Sequence, residues 1–242
     1  MLDAASPPPG GLPMTTTLIT GANRGLGFEA ARRLTGAGHT VYIGARDPER
    51  GRAAAARLGA RFVRLDVTDD GSVQAAAASL RASGGLDVLV NNAGTAGARR
   101  PVGETTADDL AGTFETNVFG VVRVTHAFLP LLKESAAPVV VNVGSALGSR
   151  AACADRSRPE FDVAYLDYSA SKSALVMLTS QYAKAFPAIR FNAVDPGYTA
   201  TDLTGHQGAP VQEGAEVIVR MAAVGADGPT GGWFDNAGPA AW

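Results

Sequence analysis

Short apolar runs alternate with longer helical stretches along this chain, and no other feature restricts its fold as strongly. Seven runs are strand candidates, and most are apolar throughout instead of alternating apolar with polar residues. Continuous apolar character is expected of strands that are covered on both faces. The seven candidates are residues 16–20, 40–44, 61–65, 86–91, 139–143, 190–194 and 232–234.

The segments between these runs are mostly long enough for a helix that crosses from one strand to the next. Strand–helix–strand units with right-handed crossovers predict an α/β fold of the Rossmann type, a doubly wound parallel sheet of about seven strands in three αβα layers. Ligands of such sheets bind beyond the carboxyl ends of the strands. We expect one catalytic domain over residues 14–242, after a disordered Pro/Gly-rich leader over residues 1–13.

Composition argues against several classes of partner. A formal net charge of -2 gives no electrostatic reason to expect nucleic acid. No apolar run approaches the ~20 residues that span a bilayer, and no Cys/His cluster has metal-ligand spacing. The single cysteine, Cys153, and the lack of a signal-peptide pattern at the start predict a cytoplasmic protein.

A glycine-rich segment, Thr-Gly-Ala-Asn-Arg-Gly-Leu-Gly, follows the first strand candidate and precedes a helical pattern that opens near Phe28. The missing side chains of Gly21, Gly25 and Gly27 let the backbone approach a pyrophosphate, whose charge the helix N-terminus would stabilise. The same glycines could serve only to pack the helix close to the strand. Their position directly after the first strand favours the phosphate site.

The Gly-x-x-x-Gly-x-Gly spacing of this segment resembles the short-chain dehydrogenase/reductase family. The run Asn-Asn-Ala-Gly at residues 91–94 and the pair Asp66-Val67 resemble that family's cofactor-lining motifs after the fourth and third strands. Asn, Asp and Gly are also common in ordinary turns, but three matches in the family's order favour the resemblance. It implies a nicotinamide dinucleotide held by Gly21, Asn23, Arg24, Gly25, Leu26, Gly27, Asp66, Val67, Asn92, Ala93 and Gly94.

The residues after the second strand bear on which nicotinamide cofactor is used. Ala45 stands where relatives specific for NAD place an acid, and Arg46 stands where relatives specific for NADP place a base. Arg24 resembles a second basic contact, so NADP(H) is expected. Asp47 could repel a 2′-phosphate or cap the next helix ahead of Pro48, and we favour the cap.

Carbonyl reduction needs an acid and an oriented hydrogen-bond donor, and the C-terminal half offers both. Tyr168 and Lys172 lie four residues apart on one helical face, where the cation would favour the phenolate. Such a pair by itself is usually a surface pair. Ser145 follows the fifth strand, where it could donate to a carbonyl or cap a turn, and Asn117 interrupts an apolar helical pattern.

The family resemblance joins these residues, because its members use an Asn-Ser-Tyr-Lys tetrad. The matching positions are Asn117, Ser145, Tyr168 and Lys172, with Tyr168 and Lys172 also contacting the cofactor. Tyr165 is not preferred, because the residue four positions later is a serine. Pro196, Gly197 and Thr199 resemble the turn that contacts the nicotinamide carboxamide.

The resemblance implies NADPH-dependent reduction of a small-molecule ketone or aldehyde, with Tyr168 as general acid and Lys172 as the group that tunes it. An NAD-linked alcohol dehydrogenase and a non-catalytic NADP-binding sensor remain alternatives. Residues 150–162 form an insertion that resembles a shorter version of the extension that blocks oligomerisation in carbonyl reductases. Both a monomer and a homo-oligomer therefore remain open, and Cys153 in the insertion is assigned no chemistry.

Overall fold

A computed structural model describes residues 15–242 of the chain, so the predicted leader and Met14 lie outside the described residues. One sheet of eight strands runs through it in the order β3-β2-β1-β4-β5-β6-β7-β8. The strands are β1 Thr16–Thr20, β2 Thr40–Ala45, β3 Arg61–Arg64, β4 Val88–Asn91, β5 Val139–Val143, β6 Arg190–Val194, β7 Trp233–Asp235 and β8 Gly238–Pro239.

Helices cover both faces of this sheet. They are α1 Gly25–Gly36, α2 Pro48–Leu58, α3 Asp70–Ala82, α4 Ala107–Phe114, α5 Gly120–Glu134, α6 Arg150–Ala154, α7 Leu166–Ala185 and α8 Val211–Ala222. A π-helical turn, Glu115–Phe119, joins α4 to α5. No helix among the described residues is both long and apolar enough to cross a membrane.

The doubly wound parallel sheet predicted from the sequence is confirmed. All pairings from β3 through to β7 are parallel, and only β8 pairs antiparallel, with β7. The sequence predicted one strand too few, because β8 is a Gly-Pro pair without the apolar pattern that predicts a strand. Strand β4 also begins at Val88, two residues later than predicted.

Neighbouring residues of each central strand pack into different cores. In β1 Leu18 belongs to one buried cluster and Ile19 to the other, and Val140 and Val141 divide in the same way in β5. Apolar surface is therefore buried on both faces, which explains the continuous apolar runs. Trp233 is buried, as predicted, and packs with Val176 and Ala193.

The strand order reverses between β1 and β4, since the chain first builds outward through β2 and β3 and then returns to the other side of β1. The crevice at such a reversal, beyond the carboxyl ends of the strands, is the usual ligand site of open α/β sheets. The loops after β1, β4, β5 and β6 carry most of the predicted site residues to this one edge.

Candidate active site

The glycine segment after β1 forms a tight turn that packs against the loop after β4. Gly21 and Gly25 have φ of +64° and +57°, a left-handed backbone that favours glycine. A Cβ on Gly21 would lie 2.9 Å from the Cα of Ala93, and one on Gly27 would lie 2.5 Å from Nδ2 of Asn92. The two loops that would hold the cofactor are thus in direct contact, which only glycine permits.

Helix α1 begins at Gly25, inside the glycine segment and three residues before the predicted opening near Phe28. Its N-cap, Arg24, makes no side-chain cap, and no acidic residue lies in the first turn. The first backbone amides and the positive end of the helix dipole are therefore available to an anion. This arrangement fits the pyrophosphate of a dinucleotide.

Asn92 joins the glycine turn to the loop after β4. Its Nδ2 donates to the carbonyl oxygens of Thr20 at 2.9 Å and Gly21 at 3.3 Å. The hydroxyl of Thr20 accepts in return from the amides of Asn92 and Ala93, both at 3.0 Å. The side chain of Asn92 therefore holds the two loops in register, while Gly94 continues the same loop toward α7.

The residues after β2 separate the two roles considered for Asp47. Its carboxylate accepts from the amides of Glu49 at 2.9 Å and Arg50 at 3.1 Å, which confirms that it caps α2. Arg46 is exposed at the end of β2, next to the buried Ala45. The guanidinium of Arg46 thus remains accessible at the carboxyl end of β2.

Arg24 contacts the loop that follows β6. Its guanidinium forms an ion pair with Asp202, in the short turn Asp202–Thr204 that follows β6. Arg99, in the loop after β4, donates to the carbonyl oxygen of Leu203 in the same turn. Two arginines from separate loops therefore contact this turn.

Asp66 and Val67 follow β3, as predicted. Burial raises the pKa of Asp66, but hydrogen bonds from Thr68 and the nearby Arg46 and Arg64 outweigh it and leave the pKa below its usual range. An ionised carboxylate at this position can accept a hydrogen bond from an amino group. Val67 is buried against Gly120, at the start of α5.

Lys172 is buried behind Tyr168 on the inner face of α7. Its Nζ donates to the carbonyl oxygen of Val143, the last residue of β5, at 2.8 Å, and lies 5.7 Å from the centroid of the Tyr168 ring. Burial lowers the pKa of Lys172 to about 8, while the charge of Asp195 raises it and opposes that shift. The ammonium is therefore a stronger acid than an ordinary lysine.

Tyr168 is also buried, and its hydroxyl lies close enough to the side chain of Ser145 for the two to interact. Burial raises the pKa of Tyr168 to about 12, against the opposing effects of the Ser145 side chain and the positive charge of Arg99. The expected lowering of this pKa by Lys172 was thus wrong for this structure. The desolvation of the phenol outweighs the neighbouring charges, and Nζ of Lys172 is directed to a carbonyl.

Asn117 lies inside the π-helical turn between α4 and α5, where a regular helix was expected. Its Oδ1 accepts from the amide of Thr95 at 2.8 Å, and its Nδ2 donates to the carbonyl of Thr95 and to Oγ of Ser171, both at 3.0 Å. Single π turns often occur at functional sites, because they widen a helix locally and re-aim one side chain. Here the turn brings Asn117 onto the loop after β4.

Gly94 lies where the loop after β4, the π-helical turn and α7 approach one another. A Cβ at this residue would lie 3.3 Å from Oδ1 of Asn117 and 3.7 Å from Nζ of Lys172. The Asn-Asn-Ala-Gly loop, the π turn and α7 thus meet at one point. The four predicted catalytic side chains lie in this region of the molecule, although they come from three separate segments of the chain.

The turn after β6 places Pro196 and Gly197 at the same sheet edge. Thr199 is buried, and its hydroxyl contacts the carbonyl oxygens of Pro196 and Gly197, both at 3.1 Å. Its side chain therefore stabilises the turn itself in this structure. Asp195, to which no role was assigned, is buried at the start of the turn and accepts from the amide of Gly197 at 3.0 Å.

The insertion at residues 150–162 contains α6 and a short 3-10 turn, Pro159–Asp162. The thiol of Cys153 contacts the carbonyl oxygen of Leu147 at 3.5 Å, and burial raises the pKa of the thiol. A raised pKa disfavours the nucleophilic thiolate, in agreement with assigning Cys153 no chemistry. His206, in the loop before α8, is exposed and contacts Asp202 at 3.2 Å.

Asp167 is a second buried carboxylate to which the sequence assigned no role. Asp167 precedes Tyr168 in the first turn of α7 and is 1% exposed. An acid at a helix N-terminus is common, so its residue type alone gives no functional signal. Only its contacts, described below, separate it from an ordinary surface acid.

Comparisons with known proteins show which family the chain belongs to. The short chain dehydrogenase family model matches residues 15–212. The chain is 31% identical to (-)-isopiperitenone reductase of Mentha piperita, over 90% of this chain and 95% of that protein. It is 29% identical to salutaridine reductase of Papaver bracteatum, over 92% of this chain and 94% of that protein.

Two solved structures illustrate the range of cofactors among similar folds. A gluconate 5-dehydrogenase from Burkholderia cenocepacia, in complex with NADP and tartrate, superposes with a TM-score of 0.78 at 25% identity, covering 91% of this chain and 92% of that one. A 3-ketoacyl-(acyl-carrier-protein) reductase from Brucella melitensis, complexed with NADH, gives 0.79 at 27% identity, covering 91% and 96%. With the family match, the fold and the site, these likenesses place the chain in the short-chain dehydrogenase/reductase family of nicotinamide-dependent oxidoreductases.

Proposed function

We propose that this protein reduces a ketone or an aldehyde to an alcohol with NADPH, and that Tyr168 donates the proton. The observation that carries the proposal is that the side chains of Ser145 and Tyr168 approach each other at the carboxyl edge of β5, with the ammonium of Lys172 buried beside the Tyr168 ring. Two hydroxyls that converge on one point can bind one carbonyl oxygen. The relatives named as reductases support the reductive direction.

The nicotinamide, when bound, would supply the hydride. Ser145 would donate a hydrogen bond to the substrate oxygen, and Tyr168 would transfer its hydroxyl proton to that oxygen as negative charge develops there. The O–H bond of the phenol breaks, an O–H bond forms on the alcohol, and a buried phenolate remains. No residue needs to bond covalently to the substrate.

Lys172 is suited to restore the proton to that phenolate. Its pKa of about 8 lies well below the value of about 12 for Tyr168, so transfer from ammonium to phenolate runs downhill. The carbonyl of Val143, which Nζ contacts at 2.8 Å, keeps the ammonium in place beside the ring. Lys172 thus acts as a proton source near neutral pH.

The preference for NADPH rests on the residues after β2. Ala45 has no carboxylate to bind a ribose 2′-hydroxyl, Arg46 is exposed beside it, and the carboxylate of Asp47 is engaged in capping α2. A 2′-phosphate would meet a cation and no free acid at this place. Arg24 would be a second partner after exchanging its contact with Asp202.

Cofactor oxidation across a broad panel of ketones and aldehydes tests the proposal. We expect turnover with NADPH, a much lower rate with NADH, and loss of turnover in Tyr168→Phe. Tighter binding of NADH together with full activity of Arg46→Ala would favour an NAD-linked alcohol dehydrogenase. Binding of NADPH without turnover of any compound would favour the sensor alternative and contradict the proposal.

A further inference from the structure

Asp167 joins three segments around the candidate active site. Its Oδ1 accepts from the backbone amide of Tyr168 at 2.8 Å. Its Oδ2 accepts from the amide of Ala98 and from the hydroxyl of Thr113, both at 2.8 Å. One carboxylate therefore connects the N-terminus of α7, the loop after β4 and helix α4.

Both carboxylate oxygens of Asp167 must accept hydrogen bonds, because each of them faces donor groups. The amides of Tyr168 and Ala98 can only donate, and Thr113 donates its hydroxyl hydrogen to the same carboxylate. Burial raises the pKa of Asp167, but these hydrogen bonds outweigh it and leave the pKa below its usual range. Position in the first turn of α7 further favours the ionised form.

The loop that Asp167 holds is also held at its other end. Asn117 accepts from the amide of Thr95 at 2.8 Å and donates to its carbonyl at 3.0 Å, and Gly94 lies against Nζ of Lys172. Gly97, with φ of +72°, brings the loop so close to Asp167 that a Cβ would overlap the carboxylate. Residues 94–98 are thus fixed at two points beside the tyrosine and the lysine.

We propose that Asp167 is a positioning residue that sets the placement of Tyr168 against the loop after β4, and hence the geometry in which a substrate carbonyl meets the phenol. This inference rests on the proposed function. Asp167 touches neither the phenol hydroxyl nor the glycine turn, so its loss should lower kcat for carbonyl reduction and leave NADPH affinity unchanged. A small displacement of a reacting group is enough to lower a rate by one or two orders of magnitude.

Asp167→Asn tests the inference with little change in volume. Whichever way the new amide is turned, its NH2 faces a backbone N–H, either that of Tyr168 or that of Ala98. We expect kcat to fall about 10- to 100-fold, with the Kd of NADPH within about twofold of wild type. The unpaired amide also lowers the melting temperature.

Asp109→Asn is the matched control. Asp109 also binds a backbone amide at a helix N-terminus, in the capping box with Thr106 at the start of α4, but it forms no hydrogen bond with Tyr168 or Ala98. We expect it to lower the melting temperature and leave kcat within about twofold of wild type. Equal kcat values for Asp167→Asn and wild type, with only stability reduced, would show a purely structural role and overturn the inference.

Thr113→Val supplies a milder variant if Asp167→Asn does not fold. It removes one of the three donors and keeps the shape of the side chain, so we expect a several-fold fall in kcat that is not additive with that of Asp167→Asn. Additive effects in the double variant, or an unchanged kcat in Thr113→Val with Asp167→Asn unfolded, would count against the inference.

Hydrogen–deuterium exchange separates failure of the inference from failure of the proposed function. The amide of Ala98 should lose protection in Asp167→Asn and keep it in Asp109→Asn, in the absence of any substrate. Unchanged protection in Asp167→Asn would overturn the inference. Absence of turnover by the wild type would overturn the proposed function, while the exchange result would still decide whether Asp167 holds the loop.

Discussion

Two parts of the proposed site are built differently. We call the loops after β1 and β2 the cofactor edge, and the region around β5 and α7 the catalytic edge. At the cofactor edge the useful features are missing side chains, at Gly21 and Gly25, and an exposed cation, Arg46. At the catalytic edge the useful groups, Asn117 and Lys172, are buried and each already has a hydrogen-bond partner. Binding a phosphate needs space and backbone amides, whereas proton transfer needs groups that are fixed beforehand.

This difference predicts how variants should rank. A buried polar network contributes much less stabilisation once one member is removed, because the remaining buried groups are left without hydrogen-bond partners. Exposed charges are screened by water and contribute less. The largest effects should therefore come from the catalytic edge and the smallest from the surface around β2.

The largest expected effect is that of Tyr168→Phe. The variant keeps the buried ring and removes only the acid, so we expect kcat/KM for carbonyl reduction to fall about a thousandfold with little change in melting temperature. Steady-state kinetics at saturating NADPH measure it. Tyr165→Phe is the matched control on the exposed N-cap of α7, and it should leave the rate unchanged. Comparable rates for the two variants would remove Tyr168 from its proposed role.

Lys172→Met should lower kcat about a hundredfold and change how stability depends on pH. The folded-state pKa of Lys172, about 8, lies below the usual lysine value, so above pH 8 the unfolded chain binds more protons than the folded one. The free energy of unfolding of the wild type, minus that of the variant, should therefore rise by about 1 kcal/mol per pH unit from pH 8 to 10. This gain in stability should disappear as the pH is lowered back to 8.

Denaturant unfolding of both proteins at pH 7, 8, 9 and 10 measures this difference. Since the two chains differ only at residue 172, subtracting their free energies of unfolding removes the titration of other groups. A difference that stays constant across the series would mean that the lysine pKa is not lowered by burial, and the proton source proposed for Tyr168 would be lost.

Arg46→Ala should have a moderate effect, confined to one cofactor. We expect the KM for NADPH to rise about tenfold and the KM for NADH to change little, because only the phosphorylated cofactor loses a charge-assisted hydrogen bond. Arg50→Ala, four residues later in the first turn of α2, is the control and should leave both values unchanged. An equal rise for both cofactors would mean that Arg46 does not recognise a 2′-phosphate.

The smallest kinetic effect should be that of Asp47→Ala. Loss of the α2 cap should lower stability by about 1 kcal/mol, as measured by thermal unfolding, with kcat unchanged. The KM for NADPH should stay within about twofold of wild type. A KM that falls tenfold would show that Asp47 acts mainly by repelling the cofactor phosphate. Its assignment as a helix cap without effect on cofactor binding would then be wrong.

The parts of the molecule that follow from short-range patterns could be predicted from the sequence. Continuous apolar strands, a glycine turn and a Tyr-Lys pair four residues apart each leave a local signal, and the structure brings Ser145 and Tyr168 together as expected. The role of Asp167 left none, because its partners Ala98 and Thr113 lie 69 and 54 residues away. The π turn around Asn117 was missed for a similar reason, since helical periodicity does not distinguish a single wide turn.

The electrostatics at the catalytic edge depend on burial, which no pattern of residue types reports. A lysine four residues from a tyrosine predicts a lowered phenol pKa, yet burial of the phenol raises the pKa of Tyr168. Likewise, the contact of Arg24 with Asp202 joins segments 178 residues apart. Such contacts follow from the assembled loops and not from their sequences.

The pH profile of kcat for NADPH-dependent carbonyl reduction tests the central claim most directly. Lys172, with a pKa of about 8, must be protonated to return a proton to Tyr168, so the rate should be level below about pH 8 and fall above it. A rate that rises with pH through this range would mean that the acting group must be deprotonated. That result would contradict the assignment of Tyr168 and Lys172 as the source of the proton.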